Sequence, residues 1–210
     1  MWIALNYGLL GAVAGPVAMI AGLRIARNEP TVSAYLSVWP LLSVGVATAT
    51  ALIYVACRLP HLVAVVSWLV IIGLVVSSID WTCRRLPHRL SGLLLAGGLI
   101  LLGCTALAKH EVPSLLRACA AMGAVFSCWM VLHLCSPRQA GLGDVTLSTA
   151  VALFLGWSSW QHLVTGFAVA FVLAGASAAV LLTARVIRFR QGVAMGPALI
   201  GGALYAIVQT

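Results

Sequence analysis

Charge is scarce in this chain of 210 residues: Asp, Glu, Lys and Arg together make up 8% of it. A soluble domain carries about a quarter charged residues, and a long soluble helix bundle needs charge on its outer faces. Both are excluded, as are disorder, collagen and coiled coil. Carboxylates are scarcer still, with Glu29, Glu111, Asp80 and Asp144 the whole set. The six cysteines form no CxxC pair, which excludes a zinc ribbon and a thioredoxin-like motif. They lie mostly in apolar runs, where cysteine packs as a small hydrophobe. No cluster of His, Cys or carboxylate has ligand spacing, so no metal and no cofactor is expected. Alternating segments of about ten residues, the mark of a membrane β-barrel, are missing. The start, Met1-Trp2-Ile3-Ala4, has no basic n-region, so no cleaved signal peptide is expected. Linker, internal repeat and low-complexity stretch are also lacking, and a single domain over 1–210 is expected.

What the chain has instead is apolar length. Hydrophobic residues make up 62% of it, and its mean hydropathy is +1.10. A membrane span takes about 20 apolar residues, so 210 residues joined by short loops hold roughly eight. The fold class is therefore all-α, a polytopic helical membrane protein. The runs are 2–23, 32–57, 62–79, 90–108, 115–135, 144–157, 162–184 and 193–208. Run six is short. Its 14 residues would rise roughly 21 Å, against a hydrocarbon core of about 30 Å, so it either extends towards Gln161 or starts below the membrane surface.

Net charge is +8, from 12 basic and 4 acidic residues. In a membrane chain this reads as the positive-inside bias rather than as nucleic-acid binding. One set of alternate loops carries Arg24, Arg27, Arg84, Arg85, Arg89, Arg138, Arg185, Arg188 and Arg190; the other carries Arg58, Lys109 and Arg117. Nine against three places the first set in the cytoplasm and both termini outside, in the cytoplasmic membrane.

The two aspartates both sit at run ends. Two spans separate them, and an even number of crossings returns the chain to the same face. An ionisable group at membrane depth is a functional hypothesis by default. Two such carboxylates on one face suggest a dyad in which one takes a proton from water while its neutral partner donates to a carbonyl oxygen. The structural alternative is that Asp80 pairs with Arg84 or Arg85 and Asp144 caps a helix. Around Asp144 the chain reads Gly141-Leu142-Gly143-Asp144-Val145. Gly141 and Gly143 let the backbone turn sharply and leave room for a substrate strand beside the carboxylate. Asp80 would lie at the negative end of its helix and Asp144 at the positive end of its own. On that ground Asp144 is expected to hold the charge as general base and Asp80 to be the proton donor.

Taken together, these residues resemble the type IV prepilin peptidase family, membrane aspartic proteases of the GxGD type. Ile79-Asp80 with Leu86-Pro87 resembles the family's first catalytic segment. Gly141 to Val145, continuing to Leu155-Gly156-Trp157, resembles the second. Met195-Gly196-Pro197-Ala198-Leu199 resembles its late Phe-Gly-Pro segment. The resemblance implies an aspartic endopeptidase that removes the leader of a prepilin or pseudopilin at the cytoplasmic face, needing no metal. Asp80 and Asp144 would be catalytic, and Gly141, Gly143, Pro87, His88, Gly196 and Pro197 would shape the site. The chain departs from the family in three places. The cysteine-rich insert after the first span is missing, which speaks against N-methylation of the product. His88 stands where Asn or Asp is usual, and Thr146 where Lys is usual.

Other features have plainer readings. Trp81 and Trp157, at run ends, read as interfacial aromatics. Gly11, Gly175 and Gly201-Gly202 read as close-packing positions. Pro197 is expected to break the start of run eight. Two other functions fit part of the pattern. Presenilin- and signal-peptide-peptidase-like proteases also use GxGD, and Pro197-Ala198-Leu199 spells their motif, but their first aspartate follows Tyr and here it follows Ile79. A small proton-coupled transporter would place carboxylates mid-span within inverted repeats.

Overall fold

The structure, a computed structural model, describes residues 2–27, 38–58, 60–83, 88–136, 141–183 and 195–209. Among the described residues there is no strand. Eight α-helices follow one another: α1 (Trp2–Arg27), α2 (Val38–Arg58), α3 (Val63–Cys83), α4 (His88–Lys109), α5 (Val112–Cys135), α6 (Leu142–Ser158), α7 (Trp160–Thr183) and α8 (Gly196–Val208). Four stretches, Pro60–Trp81, Arg89–Lys109, Val112–Cys135 and Trp160–Thr183, are long and apolar enough to cross a membrane. Helix is what such runs must form in lipid, where every backbone N–H and C=O needs an internal partner.

The breaks have local causes. Pro60 opens a single 3-10 turn, Pro60–Leu62, that leads into α3. α4 ends at His110, which takes a left-handed φ of 56°. The Glu111 N–H then returns to the Ala106 carbonyl at 3.0 Å, closing the last turn as a Schellman cap. Pro113 and Pro197 stand in the first turns of α5 and α8, where a missing N–H costs nothing. So Pro197 starts its helix rather than breaking it.

α6 is the shortest-but-one helix because it is the centre. Thirteen of its 17 residues are buried, on every side, the pattern of a helix enclosed by others. It ends at Ser158 and α7 starts at Trp160, so run six gains only one residue beyond Trp157. α5 packs along one flank, with Gly156 against Ala118 and Ala121. α4 packs along another, with Gly98 against the Phe154 ring. α3 and α6 both lean on α4 and on α8 rather than on each other, so these four helices form a ring.

Three of the expected packing and interface roles need correction. Trp157 is 4% exposed, a core residue, whereas Trp81 is 60% exposed; an aromatic at a run end looks the same in either place until the neighbouring helices are known. Gly175 has no atom within 4 Å of where a Cβ would stand, so it makes no close contact. Arg117 is not simply a charge in an outer loop. It lies in the second turn of α5 and reaches across to the end of α6, donating to the carbonyls of Gly156 at 2.9 Å, Ser158 at 3.1 Å and Trp157. Those carbonyls are among the four that an α-helix leaves unpaired at its C-terminus.

Candidate functional site

Asp80 lies one turn before the end of α3 and is 4% exposed. Its Oδ2 accepts the N–H of Gly196, the first residue of α8, at 2.7 Å. A Cβ on Gly196 would stand 2.9 Å from that oxygen, so only glycine lets the backbone come this close.

Asp144 is the third residue of α6, half-buried. Its carboxylate accepts the N–H of Gly141, the residue that precedes the helix. This is half of a capping box, the N3 carboxylate reaching back to the cap amide. Gly141 holds an extended φ of −71° and ψ of 146°. A Cβ there would meet the Asp144 Oδ2 at 3.4 Å, and Gly143 is buried in the first turn.

The two carboxylates act on each other: the Asp80 charge is felt at Asp144. The start of α8 lies near both, because Met195, next to Gly196, packs against the cluster of Trp129 and Val145, the latter next to Asp144. The even-crossing reading is thus met in space, with both aspartates at one end of the bundle. Arg117 and the α6 C-terminus are at the other end. Glu111, which precedes α5, is also at that other end.

The expected roles within the dyad rest on helix dipoles. Asp80 does lie in the last turn of α3, at its negative end, and its carboxylate also faces the N-terminus of α8. Asp144 stands in the first turn of α6. The α8 N-terminus offsets the α3 C-terminus at Asp80, which narrows the difference the dipoles make between the two carboxylates.

Of the remaining site residues, Pro87, Arg84 and Arg85 lie outside the described residues, and for His88 only its place at the start of α4 is described. Pro197 is half-buried beside Gly196. Thr146 turns back on its own helix, donating to the Gly143 carbonyl at 2.9 Å. Trp129 was not singled out from the sequence. It is 9% exposed and packs on Val145 beside Met195, with Phe171 stacked on its ring at 6.5 Å between centroids. It packs the core against the residue that follows Asp144. One aromatic inside an apolar run carries no signal of that position.

Two facing carboxylates, each fixed by a backbone donor and set in apolar surroundings, can activate water and protonate a leaving or carbonyl atom without a metal. The type IV leader peptidase family matches the chain over residues 64–184, a stretch that contains both aspartates and stops before α8. No curated protein and no solved structure matches the chain.

Proposed function

The chain belongs to the type IV leader peptidase family, and from that membership and the paired carboxylates we propose that it is an aspartic endopeptidase acting on the leader of a type IV prepilin or pseudopilin. The observation that carries the aspartic reading is the meeting of Asp80 and Asp144 across a ring of four helices, each held by a backbone N–H. One carboxylate takes a proton from water and its neutral partner donates to the scissile carbonyl oxygen. The water oxygen joins the carbonyl carbon, the C–N bond breaks, and the amine leaves with a proton. The pair works as a unit, with the proton belonging to both.

The site opens to the cytoplasm in this proposal, because nine arginines fall in the alternate loops of the sequence that include the one after Asp80 and the one before Asp144, and such a bias marks the cytoplasmic side. The protein is then a multi-pass protein of the cytoplasmic membrane whose partners are its prepilin substrate and the bilayer, not nucleic acid. The test is leader removal from a prepilin in membranes carrying Asp80→Asn or Asp144→Asn. Each variant is expected to lose activity by about 10³-fold or more, as removal of a catalytic acid or base commonly does. Near-normal cleavage by either variant refutes the dyad.

A further inference from the structure

An open groove of about 370 Å³ lies at the bundle end away from the aspartates, between the start of α3 and the end of α4. The two helices run antiparallel there. His61, in the 3-10 turn before α3, and Lys109, the last residue of α4, therefore share its mouth. Deeper in the same seam the helices meet: the Trp68 ring lies against Gly97, and its N–H donates to the Leu94 carbonyl at 3.3 Å. Above Trp68 the seam stays unfilled because the side chains are small, with Ala64 on α3 and Cys104, Thr105 and Ala108 on α4. From Leu101 at the inner end to Lys109 at the mouth, α4 rises about 12 Å. One leaflet of hydrocarbon is about 15 Å thick.

The shaft of the groove is apolar. The Thr105 hydroxyl is taken by the Leu101 carbonyl of its own helix at 2.8 Å, and a cysteine thiol is a weak donor. The strong donors stand at the mouth. A lysine ammonium offers three N–H groups, and an imidazole offers at least one in either protonation state. No carboxylate lines the groove with them. Arg117, at the same end, is already committed to the carbonyls of α6.

We propose that this groove binds one anionic phospholipid, with its phosphate held by Lys109 and His61 and one acyl chain lying between Ala64, Cys104 and Ala108. An apolar shaft nearly one leaflet deep beneath a cationic mouth matches that class of molecule in both length and charge. A second copy of this chain offers little to the cations. Two of its four carboxylates, Asp80 and Asp144, are at the far end of the bundle, and Glu29 belongs to the loop set on their side. The inference rests on the membrane-spanning fold and is independent of the peptidase reading.

The test is photocrosslinking of the full-length protein in phosphatidylcholine vesicles, with adducts mapped by peptide mass spectrometry. The probe is phosphatidylglycerol carrying a diazirine on one acyl chain, and the control is phosphatidylcholine carrying the same group. Residues 101–109 should take up the anionic probe about fivefold or more over the control, since each basic side chain near the surface favours an anionic lipid by about that factor. The exposed face of α7, at Val164 and Val172, should show no such preference. Replacing both cations, His61→Gln with Lys109→Gln, should abolish the preference, and Lys109→Arg alone should keep it. Equal uptake of the two probes by residues 101–109, or the same preference on α7, overturns the site. So does a preference that survives in the double variant. Cys104 lines the groove and is exposed, so an oxidant in the membrane reports on a rival occupant. Efficient disulfide dimers through Cys104, with the anionic probe excluded, would show a second copy in the groove and overturn the lipid. If the double variant does not fold, the contrast between the two probes on the wild-type protein still decides.

Discussion

Gly196→Ala should damage the site while leaving most of the fold standing. The added Cβ would stand 2.9 Å from Asp80 Oδ2, 3.2 Å from its Cβ and 3.4 Å from its Cγ. Comfortable separation for such atoms is about 3.5 Å, so the carboxylate must retreat by roughly half an ångström. It cannot do so freely, because Oδ2 is tied to the Gly196 N–H at 2.7 Å. A hydrogen bond to a charged group is worth about 1.5–3 kcal/mol, and a misplacement near 1 Å at a reacting group can cost about 10²-fold. Cleavage of a prepilin in proteoliposomes should therefore fall about 10- to 100-fold. Overpacking should cost about 1–3 kcal/mol of stability. Two other glycines bracket the result. Gly92 has nothing within 4 Å, so Gly92→Ala should keep full activity and gain up to about 1 kcal/mol in helix preference. At Gly202 a Cβ would run into the Gly166 carbonyl and the Ala170 amide nitrogen. Neither is a movable side chain, so Gly202→Ala should lose the fold and activity together. A Gly196→Ala enzyme that cuts at the wild-type rate would refute the contact between α8 and Asp80.

Arg117→Ala strands the last carbonyls of α6 and should cost about 2–4 kcal/mol, seen as a lower melting temperature with activity retained in the cold. Chelation by EDTA should leave cleavage intact, since no ligand cluster is legible in the sequence; activity that zinc restores after chelation would contradict this. The trimmed pilin made by this enzyme with a methyl donor should keep a free N-terminal amine, because the cysteine-rich insert is missing between Arg24 and Pro30; a product heavier by one methyl group in mass spectrometry would contradict that.

The helical class was legible because composition alone decides it: lipid permits helices, and the runs are too long and too evenly apolar for strands. That Asp80 and Asp144 share one end was legible by counting crossings. Gly141 and Asp144 were legible as a local turn, since their hydrogen bond spans three residues. The hydrogen bond between Asp80 and Gly196 spans 116 residues, and no periodicity reports a contact of that range. Only the resemblance drew attention to Met195-Gly196-Pro197. Trp157 and Arg117 were misread for a shared reason. A run end shows where a helix stops, not whether another helix covers the stop, and here α5 covers it.

Both aspartates are fixed by main-chain amides, and this suits a dyad better than fixation by cations. A buried carboxylate needs a partner, because taking a charge out of water costs several kcal/mol. An arginine would supply one, but its full charge would hold the carboxylate permanently ionised, so neither member could serve as proton donor. A backbone N–H satisfies one lone pair, fixes the oxygen to within hydrogen-bond tolerance and adds no net charge. The start of a helix is where such amides stand free, and the site uses two of them, Gly141 before α6 and Gly196 at α8. Glycine matters at Gly196, because the amide comes within 2.7 Å of the carboxylate and a Cβ there would stand only 2.9 Å from the same oxygen. The cost is that the site depends on α8 being seated. α8 lies beyond the segment that matches the family, yet it supplies the donor for Asp80, and Met195 before it packs against the cluster that holds the neighbour of Asp144. The two half-sites on α3 and α6 become one site through the first turn of the last helix.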